Sequence, residues 1–411
     1  MPALASSKVV VMGTLDTKAA PLCYLAERVA AAAGQPLVLD VGVRGEFVPP
    51  PSFTFPRLLA APLDELLSIS GLPRGEAVER MCRLAAARLS ELVESGKAGG
   101  VVGVGGSGGT TICAAAMRGL PYGVPKLLVS TLASGNTRWH VDISDIVMMP
   151  SVVDIAGLNP LLSMVLDNAA SAISAMVRSH RPFVASGRPV AGVTMYGTTT
   201  VGVSRACEGL QRQGIEPWIF HASGVGGRSM ERLISLGRIQ GTMDMTLAEI
   251  GAHLLGGLHD GGPNRLEAAG ALGLPQVVVP GAADTVVLPP RPELPERFRG
   301  RILNFHNPTM TTMRTTAAEN VAIGRFIAAK LNRARGPVTV VIPKGGLSSL
   351  DRPGKIFFDR EANSALFETL RSELAPAITV VEDEGHIDDA PFADRVANIT
   401  ARLLGEAQHR S

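Results

Sequence analysis

Aromatic side chains make up only 4% of this 411-residue chain, and no basic stretch is interleaved with them, which excludes the stacking platform that single-stranded nucleic acid needs. Charge of one sign is lacking too. Lys and Arg number 39 against 37 Asp and Glu, a formal net charge of +2, so no overall field points to nucleic acid or an anionic membrane as partner. Although 46% of the residues are hydrophobic, no uninterrupted apolar run reaches bilayer length, and VVVMG after Lys8 reads as a first strand rather than the apolar centre of a secretory signal. Cys23, Cys82, Cys113 and Cys207 lie far apart without a C-x-x-C pair. Small buried thiols in a reduced, cytoplasmic setting are expected, and no metal centre.

What is present is alternation. The chain is long enough for more than one core. KVVVMGTL reads as a strand leading to a helix over about 17–33, and PLVLDVGV as a second, continuously apolar strand of the kind covered on both faces. A proline-bearing connection from Arg44 to Pro62 is long enough to be a lid or a partner contact. Apolar positions from Val78 to Val93 recur at helical spacing over 76–94, PKLLVST and DIVMMPS read as strands, and a helix spans about 161–177. The polar, proline- and glycine-bearing stretch SHRPFVASGRP marks a boundary, giving domains 1–183 and 184–411. Beyond it VAGVTMY, EPWIFHA, LPQVVVPG, GRILNF, GPVTVVIP and AITVVED read as strands, with helices near 228–236, 246–256, 314–334 and 391–405. Both halves are α/β with open, mostly parallel sheets; one barrel across the chain is the weaker reading, because the break interrupts the alternation.

Five glycines fall in the seven positions 103–109 of VVGVGGSGGTT, between a strand and a helix. Such a turn exposes successive backbone N–H groups, the following helix adds its own unpaired first-turn N–H groups, and an anion can sit there without a cationic side chain. Gly105, Gly106, Gly108 and Gly109 open the backbone, while Ser107, Thr110 and Thr111 offer hydroxyls or a helix cap. The alternative is close packing of helix on sheet. G-x-G-x-x-G is present, but no acidic residue ends a strand about 20 positions on, and there is no G-K-[ST]. MGTLDTK (Gly13, Thr14, Asp16, Lys18), YGTTTVG and HASGVGGRSME repeat the strand-to-helix corner. Asp40, ending the second strand, either meets a ribose hydroxyl or a metal, or caps a turn.

The blocks VVMGTLDTK, GVGGSGGTT, KLLVSTLASGNT, YGTTTVGV, FHASGVGGRSME, GGPNRLEAA and EDEGHIDDAPFA, spread over nearly the whole chain, closely resemble the family of bacterial, fungal and plant proteins related to the ATP-binding amino-terminal region of the tomato mosaic virus resistance protein. The resemblance implies two Rossmann-like domains, a homodimer, and binding of ATP or a similar nucleotide; Mg2+ is a further candidate cofactor. It assigns the nucleotide to Gly13, Thr14 and Asp16, to Gly105 through Thr111, and to the TLASGNT block with Thr131, Ser134, Gly135 and Asn136. The family pattern HINDP is HIDDAP here, which loosens the carry-over at that tail.

Several polar groups stand outside a purely nucleotide-binding account. His221 ends a strand; His306 and Arg314 lie in NFHNPTMTTMRTT; His386 sits among Glu382, Asp383, Glu384, Asp388 and Asp389. Histidine with carboxylates serves acid–base chemistry or a metal, and a guanidinium clamps an anion. The same groups also serve as core hydrogen-bonders, Arg314 pairing with Glu319. An interdomain cleft in which His221, His306, Arg314 or His386 address a small acidic metabolite would make the protein an ATP-dependent enzyme or a hydrolase. A nucleotide-regulated scaffold dimer is the non-catalytic alternative.

Overall fold

KVVVMG at residues 8–13 is buried at five consecutive positions, a pattern that a strand shows only when both faces of its sheet are covered. A computed structural model describes residues 8–32, 34–44 and 53–408; positions 45–52 of the long connection, where a lid was anticipated, lie outside the described residues. The chain divides into two compact units, Met1–Val184 and Ala185–Ser411, each α/β with a mainly parallel sheet.

The first unit runs β1 Lys8–Gly13, α1 Leu15–Ala31, β2 Gln35–Asp40, β3 Arg57–Leu59, α2 Leu63–Ser70, α3 Arg74–Glu94, β4 Gly100–Gly105, α4 Ser107–Arg118, β5 Lys126–Ser130, α5 Arg138–Val141, β6 Val147–Pro150 and α6 Pro160–Ser179. Its six strands pair in the order β3-β2-β1-β4-β5-β6, all parallel. Side chains alternate between two cores: Val10, Met12, Leu39 and Val101 meet α3 and α4 on one face, and Val9, Val11, Val102 and Val104 meet α1 and α6 on the other. Each buried Val or Leu contributes about 1.5–3 kcal/mol. Pro21 does not prevent α1 from starting at Leu15, but the backbone leaves helical geometry at Lys18; the proline lacks the N–H that would close that turn. Helix α6 is long and apolar enough by length and composition to cross a membrane, a feature the search for unbroken apolar runs missed because Asp167 and several serines dilute it. Its Leu162, Val165, Leu166, Ala169 and Ile173 are buried in the core.

The second unit runs β7 Val190–Met195, α7 Thr200–Arg212, β8 Glu216–His221, α8 Val225–Ser235, β9 Gly241–Asp244, α9 Ala248–Leu255, α10 Ala268–Ala271, β10 Gln276–Val278, β11 Thr285–Leu288, β12 Leu303–Asn307, β13 Met310–Arg314, α11 Ala317–Leu331, β14 Val338–Pro343, α12 Arg360–Glu373, β15 Thr379–Asp383 and α13 Ala390–Gln408. The parallel sheet has the order β15-β14-β10-β9-β7-β8. GRILNF, expected as one of its strands, belongs instead to a separate antiparallel sheet, β11-β13-β12. The helix expected from residue 314 starts at Ala317, because Thr316 and Glu319 form a reciprocal capping box there. Two separate open sheets exclude the single barrel.

Candidate functional site

In the first sheet the chain leaves β1 toward β2 on one side and reaches β4 on the other, so the loops after β1 and β4 part and leave a crevice at the carboxyl ends of the strands. A cavity of about 470 Å³ occupies that place, lined by Thr14, Asp16 and Lys18 after β1, by Gly106 through Gly109 after β4, by Thr131 after β5, and by Arg44, Arg74, Val78 and Asp154.

The glycines divide into two kinds. A Cβ on Gly105 would lie 2.4 Å from the Thr110 nitrogen, and one on Gly13 would lie 2.9 Å from the Val104 oxygen; both serve close packing. At Gly106 the nearest atom to a Cβ is the Thr131 hydroxyl at 4.0 Å, and at Gly108 the nearest are Arg74 and Val78 at 3.8 Å. A side chain at these positions would meet only ordinary van der Waals contacts, and both glycines line the cavity. Gly106 precedes α4 without a side-chain cap, so the first N–H groups of this helix keep no intrahelical acceptor and carry the positive end of its dipole.

The remaining corners are satisfied internally. Asp40, 6% exposed, accepts from the amides of Leu15 at 3.1 Å and Gly42 at 2.9 Å and pairs with Arg57 at 2.7 Å; it ties α1 to β2 and β3 and does not await a ribose. Asp16 accepts from the amides of Val43 and Arg44. Thr110 is fully buried and braces the Gly105 carbonyl and the Ser130 hydroxyl, while Thr111 donates to the Ser107 carbonyl of its own helix. In the TLASGNT block, Thr131 lines the cavity and Ser134 lines a smaller one beside it. Gly135 and Asn136 make turn contacts, the first donating to the Leu132 carbonyl and the second accepting from Arg138, and neither lines either of these two cavities.

In the second unit the HASGVGG loop holds an anion that belongs to the protein. Glu249 Oε1 accepts from Gly224 at 2.6 Å and Gly227 at 3.0 Å, and its Oε2 accepts from Arg265 Nε at 2.8 Å. Arg265, with no exposed surface, also pairs with Asp244 and Glu231. Burial pushes both of those carboxyls above their ordinary range, against the pull of the guanidinium. The YGTTTVG corner is likewise filled, since Asp388 accepts from Gly202 in the first turn of α7.

Of the candidates in the second unit, Arg314 and His386 are committed to structural hydrogen bonds. His221 is exposed and stacks on Tyr196 with ring centroids 5.4 Å apart. His306 lies in β12, and its side chain is outside the described residues. Arg314 gives its N–H groups to the carbonyls of Phe357, Thr315 and Asp359, the Thr315 hydroxyl and the Asn363 side chain. Five acceptors use all five donors of a guanidinium, so it is a core brace and not an anion clamp, and Glu319 pairs instead with Arg301. His386 is 3% exposed; its Nδ1 accepts from the Asp388 amide, which leaves Nε2–H to donate to the Ser348 carbonyl. Burial lowers its pKa, and the neutral imidazole has no free nitrogen for acid–base work.

Reading along the chain found Lys18 but missed the two arginines beside it. Lys18, Arg44 and Arg74 line the first cavity, and among the described residues none of these side chains has an ion pair or hydrogen bond. Arg74 stands in LPRGEA, 34 positions before Gly108, and only the packing of α3 on α4 brings it there. Among the described residues no cluster of three His, Cys, Asp or Glu side chains suits a metal ion.

A Clostridium tetani protein is 42% identical over 403 residues, covering 97% of this chain and 99% of its own. One from Mesorhizobium japonicum is 41% identical over 392 residues, covering 95% and 98%. The Solanum lycopersicum ToMV resistance protein Tm-1 is 35% identical over 430 residues, covering 98% of this chain but 57% of the tomato protein. The solved Acinetobacter baumannii MurG aligns with 96% of this chain and 99% of its own at 11% identity and a TM-score of 0.24, a likeness too slight to define fold or function. Two family profiles match consecutive halves, the N-terminal domain over residues 7–182 and the C-terminal domain over 188–404, and the chain belongs to the uncharacterised protein family UPF0261.

Proposed function

We propose that the first unit binds a nucleotide, with ATP as the leading ligand, by seating its phosphates on the amino terminus of α4. One observation carries the reading. Of the four glycine- or threonine-rich corners, those of α1, α7 and α8 receive Asp40, Asp388 and Glu249 from the protein itself, whereas among the described residues the α4 corner receives no such side chain and opens into a cavity with three cations that have no partner there. A polyphosphate supplies the missing acceptors and charge. Val43, Val78, Ile112 and Leu132 line the same cavity and offer apolar surface to a base. Asp16, on the wall of the same cavity, offers a carboxylate to Mg2+, which takes one or two carboxylates together with phosphate oxygens and would neutralise phosphate charge there.

The reading is binding and not catalysis, because His386, an acid–base candidate in sequence, gives both ring nitrogens to backbone groups, and Arg314, the anion-clamp candidate, spends all five N–H groups on protein acceptors. Calorimetric titration with ATP tests it. Wild type is expected to bind. Gly108→Val, whose side chain would project toward Arg74, is expected to lose binding with its unfolding transition intact; a wild-type protein silent at millimolar ATP, or an unaltered affinity in the variant, would refute the assignment.

A further inference from the structure

Beside the first cavity lies a second of about 220 Å³, lined by Ser130, Thr131, Ser134, Pro150, Ser151, Val152, Val153 and Asp154. It shares Thr131 and Asp154 with the first, so the two are adjoining compartments at the ends of β4, β5 and β6. Its chemistry differs. The cations lie in the first compartment alone, while the second presents four hydroxyls and one carboxylate.

Two of those hydroxyls are already used: Ser130 with Thr110 and the Leu132 amide, and Ser151 on the Val153 carbonyl. Thr131 and Ser134 have no protein partner among the described residues, and Asp154 accepts only from its neighbour's amide through Oδ1, leaving Oδ2 unpaired. The rim residue Val152 is 70% exposed with φ of 65°, a left-handed backbone that a β-branched side chain adopts only under strain.

A carboxylate accepts and does not donate, so Asp154 repels a phosphate and attracts hydroxyl donors, while Thr131 and Ser134 can give or take. We infer that the second cavity seats a vicinal diol of a sugar ring, held by Asp154 and the Thr131 and Ser134 hydroxyls. This rests on the phosphate reading of the first cavity, and the diol is that of the ribose whose phosphates lie on α4. The place where a strand-end acid commonly takes a ribose, after β2, is closed because Asp40 is spent on Leu15, Gly42 and Arg57. Volume agrees, since a water's share of the liquid is about 30 Å³ and the second cavity is several times larger.

The test compares ATP, 2′,3′-dideoxy-ATP and inorganic tripolyphosphate by calorimetry, on wild type, Asp154→Asn and a Thr131→Val/Ser134→Ala double variant. Wild type is expected to prefer ATP over the dideoxy compound by about tenfold or more, the worth of hydrogen bonds to a charged acceptor. The variants are expected to lose that preference and keep their tripolyphosphate affinity. Equal wild-type binding of ATP and dideoxy-ATP overturns the assignment of the diol to the nucleotide; saturation with methyl β-D-ribofuranoside in the presence of dideoxy-ATP then distinguishes a separate sugar, and its failure to bind overturns the diol site. A preference in wild type that disappears with EDTA identifies Asp154 as a metal ligand and also overturns the inference. Absence of tripolyphosphate and ATP binding alike refutes the phosphate site instead, and the ribofuranoside alone, followed by amide shifts at Thr131 and Ser134, still decides the diol.

Discussion

The α4 corner of the first unit and the α8 corner of the second are near twins in sequence, GVGGSGG against HASGVGG, and opposites in structure. Gly227 at α8 would put a Cβ 1.9 Å from Glu249 Oε2; its glycine exists to admit an internal carboxylate. Gly108 at α4 would put its Cβ in ordinary van der Waals contact with Arg74 and Val78 at 3.8 Å, with nothing to displace. The lesson is that a glycine-rich helix entry leaves room at a helix end, while the fold decides whether a side chain of the protein fills that room or a cavity remains there. Charge balance differs accordingly. The second unit surrounds Arg265 with three carboxylates, whereas the first leaves three cations around a cavity.

This contrast can be broken most severely at Arg265. Arg265→Met strands buried Asp244, Glu249 and Glu231 without their counter-ion and is expected to cost about 3–5 kcal/mol, read as a lower urea midpoint for the second unit, with ATP affinity of the first unit unchanged. Next in size is a pH effect confined to the second unit. Burial, with the nearby Asp351 adding to it against the pull of Arg314, raises the Asp284 carboxyl from 3.8 to about 6. The folded protein therefore holds this proton more tightly than the unfolded chain does. Its contribution is full below about pH 4 and is lost as pH rises through about 6, a penalty on the order of 3 kcal/mol at neutral pH. Urea titrations between pH 4 and 8 are expected to show a smaller decline in Asp284→Asn than in wild type; identical pH profiles would remove this acid from the account.

Two glycines sharpen the comparison within one loop. Gly105→Ala forces a Cβ against the backbone of Gly109 and Thr110 and is expected to destabilise by about 1–3 kcal/mol. Arg74→Ala removes an unpaired cation from the cavity, so ATP affinity is expected to fall about tenfold with the melting temperature held. Smallest is Gly108→Ala, a helical position with room for a methyl group; it is expected to raise stability by about 0.5–1 kcal/mol, and destabilisation there would mean that the loop is packed and not open.

The alternation of buried strands and amphipathic helices was readable because burial on both faces of a sheet requires continuous apolar runs such as KVVVMG and VTVVIP. The antiparallel β11-β13-β12 sheet was not readable as such. Strands TVVL and MTTMR pair at a distance of about two dozen residues, and GRILNF carries no mark of strand direction. Helix α12 escaped too, its apolar positions being few among charged ones in REANSALFETLRSE. Of the site, Thr14, Asp16, Lys18 and Gly106 through Gly109 were legible as strand-end residues. Arg44, Arg74 and Asp154 were not, since a lone charge in a polar stretch looks the same whether it is solvated or aimed at a cavity. Arg314 and His386 misled for the opposite reason: polar side chains that read as chemistry are buried and committed to backbone carbonyls.

By itself the sequence determined the α/β class, the places where strands give way to helices, and the backbone freedom at each of those corners, because periodicity and glycine act over a few residues. Tertiary structure alone decided which corner stays open. Asp40, Asp388 and Glu249 reach helices α1, α7 and α8 across 25, 186 and 22 positions of chain, and a hydrogen bond that closes a helix end over such separations is set by how the elements pack and not by any local pattern.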